Sequence, residues 1–276
     1  MKKIIIALDG EHFPHGAFNF AEYINKQEEI LLAGIFLSPV DYSKLMAYTA
    51  GVDGIALLPE WPLKSDDSEM IARNIHLFEE ACNEKGINYT IHKDDDLTAI
   101  ASLVEETRFA DLLLISSDSF YKNEGIEQPN YYVEEILKTA ECPVMMIPEN
   151  FIPATTVLLC YDGGESATFA IKQFAYLFPE LANKKAVLLT VLDIKKEDMP
   201  QQERMTELLG AHYPNLQIEN IKMPDKKLFT EWLGAQPNSY VVMGAFSRSL
   251  FSELFKKSFA KEVIREIKMP LFISHK

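Results

Sequence analysis

Gly244 opens the run Gly-Ala-Phe-Ser-Arg-Ser at the end of an apolar, β-like stretch over 240–244. Lys256-Lys257-Ser258-Phe259 follows, where a helical pattern over 259–267 begins. Arg248, Lys256, Lys257 and Lys261 stand there against Glu253 alone. A glycine for close backbone approach, a helix N-terminus and local positive charge are what a phosphate group needs. The matching stretch of the first half runs Ser116-Ser117-Asp118-Ser119-Phe120-Tyr121-Lys122-Asn123-Glu124. It begins without glycine and sets Asp118, Glu124 and Glu127 against Lys122, so a triphosphate would meet repulsion. A phosphate-binding site is expected in the second half only.

Other clusters have plainer readings. Glu11-His12-x-x-His15, beside Asp9, is not the helical zinc motif, because the histidines are too close and Pro14 interrupts them. It is read as a solvated turn, and no metal is expected. Asp94-Asp95-Asp96 precedes a helical pattern over 97–107, where acids complement the helix dipole. No serine, cysteine or histidine sits in a nucleophile motif, and there is no Walker lysine loop. Catalytic residues are therefore expected to be none.

These residues need a scaffold, and the chain supplies one twice. Residues 3–10, Lys-Ile-Ile-Ile-Ala-Leu-Asp-Gly, match 156–163, Thr-Val-Leu-Leu-Cys-Tyr-Asp-Gly. Each run leads into a helical pattern, 15–25 and 166–178. The ends match too: Glu135-Ile136-Leu137-Lys138 leads to Pro143-Val144-Met145-Met146-Ile147, and Glu262-Val263-Ile264-Arg265 leads to Pro270-Leu271-Phe272-Ile273. Between them, apolar runs at 30–37, 88–92 and 111–116, then 186–192, 216–222 and 240–244, alternate with helical patterns such as 68–85. Continuous apolar runs suit parallel strands covered on both faces. Each half reads as a doubly wound α/β domain: a five-stranded parallel sheet of order 3-2-1-4-5 with helices on both faces. The domains are placed at 1–150 and 151–276, with a long insertion at 38–67 in the first. In such a sheet ligands bind where the winding reverses, beyond the first and fourth strands, between Asp162 and Gly244. The edge strands 143–147 and 270–274 are apolar and are expected to pair with each other, which removes two exposed edges.

Composition narrows the function. The 276 residues carry a net charge of −14, which argues against a nucleic-acid partner. No apolar run reaches the ~18 residues that span a bilayer, so no membrane partner is expected. Met1–Leu8 reads as a first strand rather than a leader. Cys82, Cys142 and Cys160 are odd in number and lack metal spacing, which fits a reducing cytoplasm.

On the paired halves and the Gly244 loop, the chain resembles a tandem universal stress protein. The resemblance covers nearly the whole chain, twice. Many nucleotide-binding members carry Gly-x2-Gly-x9-Gly-Ser/Thr at this place. Here Gly244 fits the first glycine, Ser247 replaces the second, Arg248 follows, Lys257 replaces the third and Ser258 fits the hydroxyl. The resemblance implies a non-catalytic stress-response or regulatory protein, an internal pairing of the two domains as a pseudo-dimer, and ATP or a related adenine nucleotide as ligand. Carried over, the cofactor-binding residues are Asp162 after the first strand, Leu192 at the end of the second, and Gly244, Ser247, Arg248, Ser258 and Phe259 around the phosphates. Alternatives are a weak ATPase using the same site and a nucleotide-free interaction scaffold, to which the two lost glycines point. A receiver domain is set aside, because Pro148 stands where its lysine should follow the fifth strand. The sequence names no protein partner.

Overall fold

The computed structural model describes residues 1–9, 12–37, 65–94, 99–120, 131–192, 199–222, 231–236, 238–244 and 268–274. In the first half, strands β1 (Lys2–Leu8), β2 (Ile30–Leu37), β3 (Asn88–Asp94), β4 (Leu112–Ser116) and β5 (Val144–Ile147) alternate with helices α1 (His15–Asn25), α2 (Ser65–Lys85), α3 (Ala99–Thr107) and α4 (Tyr131–Thr139). The second half carries β6 (Thr156–Tyr161), α5 (Glu165–Leu177), the short α6 (Pro179–Ala182), β7 (Lys185–Leu192), α7 (Gln202–His212), β8 (Leu216–Lys222), β9 (Ser239–Gly244) and β10 (Leu271–Ser274). A helical turn at 231–234 precedes β9. The insertion at 38–67 and the helical pattern at 259–267 lie outside the described residues, apart from the start of α2.

The strands form one ten-stranded sheet of order β3-β2-β1-β4-β5-β10-β9-β6-β7-β8. Read outward from its own first strand, each half has the order 3-2-1-4-5. Neighbouring strands are parallel within each half. Where the halves meet, β5 and β10 run antiparallel, with Met146 opposite Leu271, Met145 opposite Phe272 and Val144 opposite Ile273.

The apolar runs exist because both faces of this sheet are covered. Along β1, Ile4, Ile6 and Leu8 face a core shared with α1, α2, α5 and α7, while Ile5 and Ala7 face another shared with α3 and α4. Along β9, Tyr240 and Val242 take the first side and Val241 and Met243 the second. The first core is continuous across the halves. Phe20 of α1 lies 5.4 Å from Phe151, 5.7 Å from Phe178 and 6.4 Å from Tyr240, ring centre to ring centre. Phe174 and Phe178 in turn pack on Phe272 of β10, at 5.4 and 6.1 Å. Edge-to-face aromatic pairs of this kind add about 0.5–1.5 kcal/mol beyond the area they bury.

Candidate functional site

In the second half, β6 and β9 are parallel neighbours, from Thr156 opposite Ser239 to Leu159 opposite Val242. Both point their carboxyl ends to the same crevice, where the winding reverses. Asp162 is the first residue beyond β6 and is 8% exposed. Its Oδ1 accepts a hydrogen bond from the Gly164 N–H at 2.7 Å. Gly163 between them has φ +84°, a left-handed conformation that glycine adopts freely. Gly164 is extended and starts α5. Pro200 lies against this turn: a methyl group on Gly163 would lie 2.7 Å from the Pro200 Cβ.

Gly244 ends β9 directly beneath the start of α5. A methyl group there would lie 2.4 Å from the Ala167 nitrogen and 2.4 Å from the Ser166 carbonyl carbon. No side chain fits, so this glycine serves helix–strand contact whatever else it does. Leu192 ends β7, its backbone registered with Lys222 of β8. The structure therefore brings Asp162 and Gly244 to the ends of adjacent strands, with Leu192 ending the strand on the other side of β6. Ser247, Arg248, Ser258 and Phe259 lie outside the described residues.

Thr190, registered with Tyr161 on β6, is 1% exposed and its Oγ1 has no hydrogen-bond partner among the described residues. Nothing in the run 186–192 singled it out, because threonine is an ordinary strand residue. Pro200 escaped notice for a similar reason: its meaning depends on the turn it packs against. Burial pushes the Tyr161 and Tyr240 phenols upward, which keeps them neutral. Buried neutral phenols are poor bases.

The first half fills the matching place differently. Asp9 is buried, and its Oδ1 accepts from the His12 N–H at 2.9 Å. Ser116 ends β4 where Gly244 ends β9. Its Oγ accepts from the N–H groups of Asp118 (3.3 Å) and Ser119 (3.1 Å) and bonds the Ser119 hydroxyl at 2.8 Å. Asp118 accepts from the Glu149 N–H at 2.8 Å and pairs with Lys268 from the second half. The Glu149 carboxylate accepts from the His15 N–H at the start of α1, at 3.2 Å. Three carboxylates thus gather around the strand ends and are bonded to the chain's own amides. Anions would be repelled there. Of the Glu11-His12-x-x-His15 cluster, Glu11 is outside the described residues. Among those described, no group of three or more His, Cys, Asp or Glu side chains could hold a metal ion. Nor is any described helix long and apolar enough to cross a membrane.

No protein-family model matches the chain, and no curated protein matches its sequence. Solved structures do match. A universal stress protein from Archaeoglobus fulgidus DSM 4304 superposes with a TM-score of 0.70 at 11% identity, covering 100% of this chain and 96% of that one. A putative universal stress protein from Pseudomonas aeruginosa UCBPP-PA14 gives 0.55 at 16% identity, covering 100% and 93%. A functionally unknown protein from Pseudomonas aeruginosa PAO1 gives 0.53 at 16%, covering 100% and 92%. At these identities the likeness is one of fold: from end to end, the chain has the fold of a universal stress protein.

Proposed function

We propose that the chain is a tandem universal stress protein, acting in the cytoplasm as a non-catalytic regulatory or stress-response protein that binds one adenine nucleotide in its second half. The domains are 1–150 and 151–276, joined as an internal pseudo-dimer, a reading supported by the antiparallel β5–β10 pairing. The observation that carries the nucleotide reading is the difference between the two crevices. In the second, Asp162 and Gly244 flank adjacent strand ends and the chain continues into a segment rich in lysine and arginine. In the first, Asp118 and Glu149 join Asp9, the counterpart of Asp162, at the matching place, with Lys268 pairing Asp118. Leu192 lines the base side through its backbone; Ser247, Arg248, Ser258 and Phe259 hold the phosphates.

A second reading, a nucleotide-free scaffold, draws on Ser247 and Lys257 at positions where glycine would open a phosphate nest. Calorimetric titration with ATP separates the two. Wild type should release heat, and Arg248→Ala should bind more weakly by about 1.5–3 kcal/mol, the range for a hydrogen bond to a charged group. Ser247→Gly with Lys257→Gly should tighten binding if nest geometry limits it. Absence of heat from wild type and the double variant, both folded, would leave the scaffold reading. ATP turnover abolished by Asp162→Ala would instead make the protein a weak ATPase.

A further inference from the structure

We propose that Arg108, which belongs to the first half, is a binding residue of the second half's phosphate site, an assignment that rests on the nucleotide reading above. Its guanidinium takes the terminal phosphates of a bound nucleotide, so that the chain prefers ATP to AMP.

The pairing of the halves brings this residue to that end of the molecule. Because β5 and β10 run antiparallel, the amino ends of the first half's strands lie where the second half's strands have their carboxyl ends. Gly244 is registered with Ser274 of β10, and Ile273 of β10 with Val144 of β5. Glu141, Cys142 and Pro143 therefore enter β5 at the end of the sheet where β9 stops, two strand spacings of ~4.8 Å to one side. The first half shows how close such a segment comes to a crevice. Ser116 ends β4 as Gly244 ends β9, and Lys268 stands two residues before Pro270 as Glu141 stands two before Pro143. Lys268 crosses the boundary between the halves and pairs with Asp118, two residues past Ser116. The same relation at the other end of the sheet carries Glu141 to where the chain leaves β9.

Glu141 brings Arg108 with it. Its N–H donates to the Oγ1 of the buried Thr107 at 2.8 Å, which fixes the backbone of both residues. Arg108 Nε and Nη2 donate to the Glu141 carboxylate at 2.9 and 2.7 Å. That fork leaves the Nη1 donors for a second acceptor. With side chains 55% and 40% exposed, the pair adds about 0–1 kcal/mol to stability. A guanidinium is worth more to a phosphate, whose oxygens match its planar fork. Glu141 alone would repel that phosphate; paired, it competes with it for the guanidinium. AMP, whose single phosphate stays near Gly244, gains nothing from a cation two strands away. The longer chain of ATP extends toward it.

The test is titration of the full-length chain with ATP and with AMP. Wild type is expected to bind ATP more tightly than AMP. Arg108→Ala should weaken ATP about tenfold and leave AMP within about twofold, the low end for a hydrogen bond to a charged group because the pair is half exposed. Glu141→Gln removes the competing carboxylate, keeps the main-chain bond to Thr107, and should tighten ATP about threefold with AMP unchanged. A merely structural role would shift both nucleotides together and lower Tm. That result, an ATP-to-AMP ratio unmoved in Arg108→Ala, or wild type that binds AMP as tightly as ATP, would overturn the inference while leaving the nucleotide reading in place. Should Arg108→Ala fail to fold, Glu141→Gln decides alone: a raised ratio supports the assignment and an unchanged one overturns it. Wild type that binds neither nucleotide removes the nucleotide reading, and this assignment with it.

Discussion

Burial pushes the Cys82, Cys142 and Cys160 thiols from an ordinary 9.0 up to about 12, with the Asp111 charge adding to the effect at Cys142 and the Asp162 charge at Cys160. The native protein should therefore leave Ellman's reagent unreacted at pH 8, and all three thiols should react once it is unfolded; fast reaction of any one in the native state would contradict this burial. The linkage has a definite sign. The folded state keeps protons that the unfolded state releases, so the contribution is fully present below pH 9 and is lost as pH rises from 9 toward 12. Glycines give a second residue-scale test, because they are not equivalent. Gly210, in α7, has nothing within 4 Å of an added methyl, so Gly210→Ala should stabilise by about 0.5–1 kcal/mol in urea titration. Gly163→Ala should destabilise by at least about 1–2 kcal/mol, because alanine there takes a left-handed conformation and meets Pro200. From sequence, Asp162-Gly163-Gly164 showed only that a strand ends and a helix begins. That a side chain on Gly163 would also meet Pro200, far along the chain, is a contact no local pattern carries.

At the scale of elements, Phe20 is a central residue through which α1 meets the second half, touching Phe151, Phe178 and Tyr240, with Tyr23 beside it on Phe151. Phe20→Ala should cost about 3–5 kcal/mol by equilibrium denaturation, the range for emptying a buried aromatic site. A loss under about 1 kcal/mol would mean that the aromatic cluster does not hold the halves together. Most elements were legible because the sheet is covered on both faces, which writes each strand as a continuous apolar run. The proline-led strands 143–147 and 270–274 are the two that pair antiparallel. Boundaries were less legible. The helical pattern at 68–85 proves to be α2, Ser65–Lys85, because its polar first turn, Ser65-Asp66-Asp67, has no apolar rhythm to read. The single turn of α6 is too short for any period to show. Of the candidate site, Asp162 and Gly244 were placed by the rule that ligands sit beyond the strand ends at a reversal, and Leu192 only by the family resemblance. The contact between Gly244 and α5 was not, because it depends on where a helix sits and not on which residues flank the glycine.

For the whole molecule, one ten-stranded sheet and a core running through both halves predict one cooperative unfolding transition in calorimetry. Two resolved transitions would show that the halves are energetically independent. The charge distribution sets the functional expectation at the same scale. The chain carries a net −14, yet the segment after Gly244 gathers Arg248, Lys256, Lys257 and Lys261 against Glu253, while Asp9, Asp118 and Glu149 surround the matching strand ends of the first half. Adenine nucleotide should therefore bind once, and in the second half. Native mass spectrometry of the full-length chain with ATP tests this most directly. The account predicts one nucleotide per chain, with the bound fraction falling in Arg248→Ala and unchanged in Asp118→Asn. Two nucleotides per chain, one nucleotide insensitive to Arg248, or none at all would contradict it.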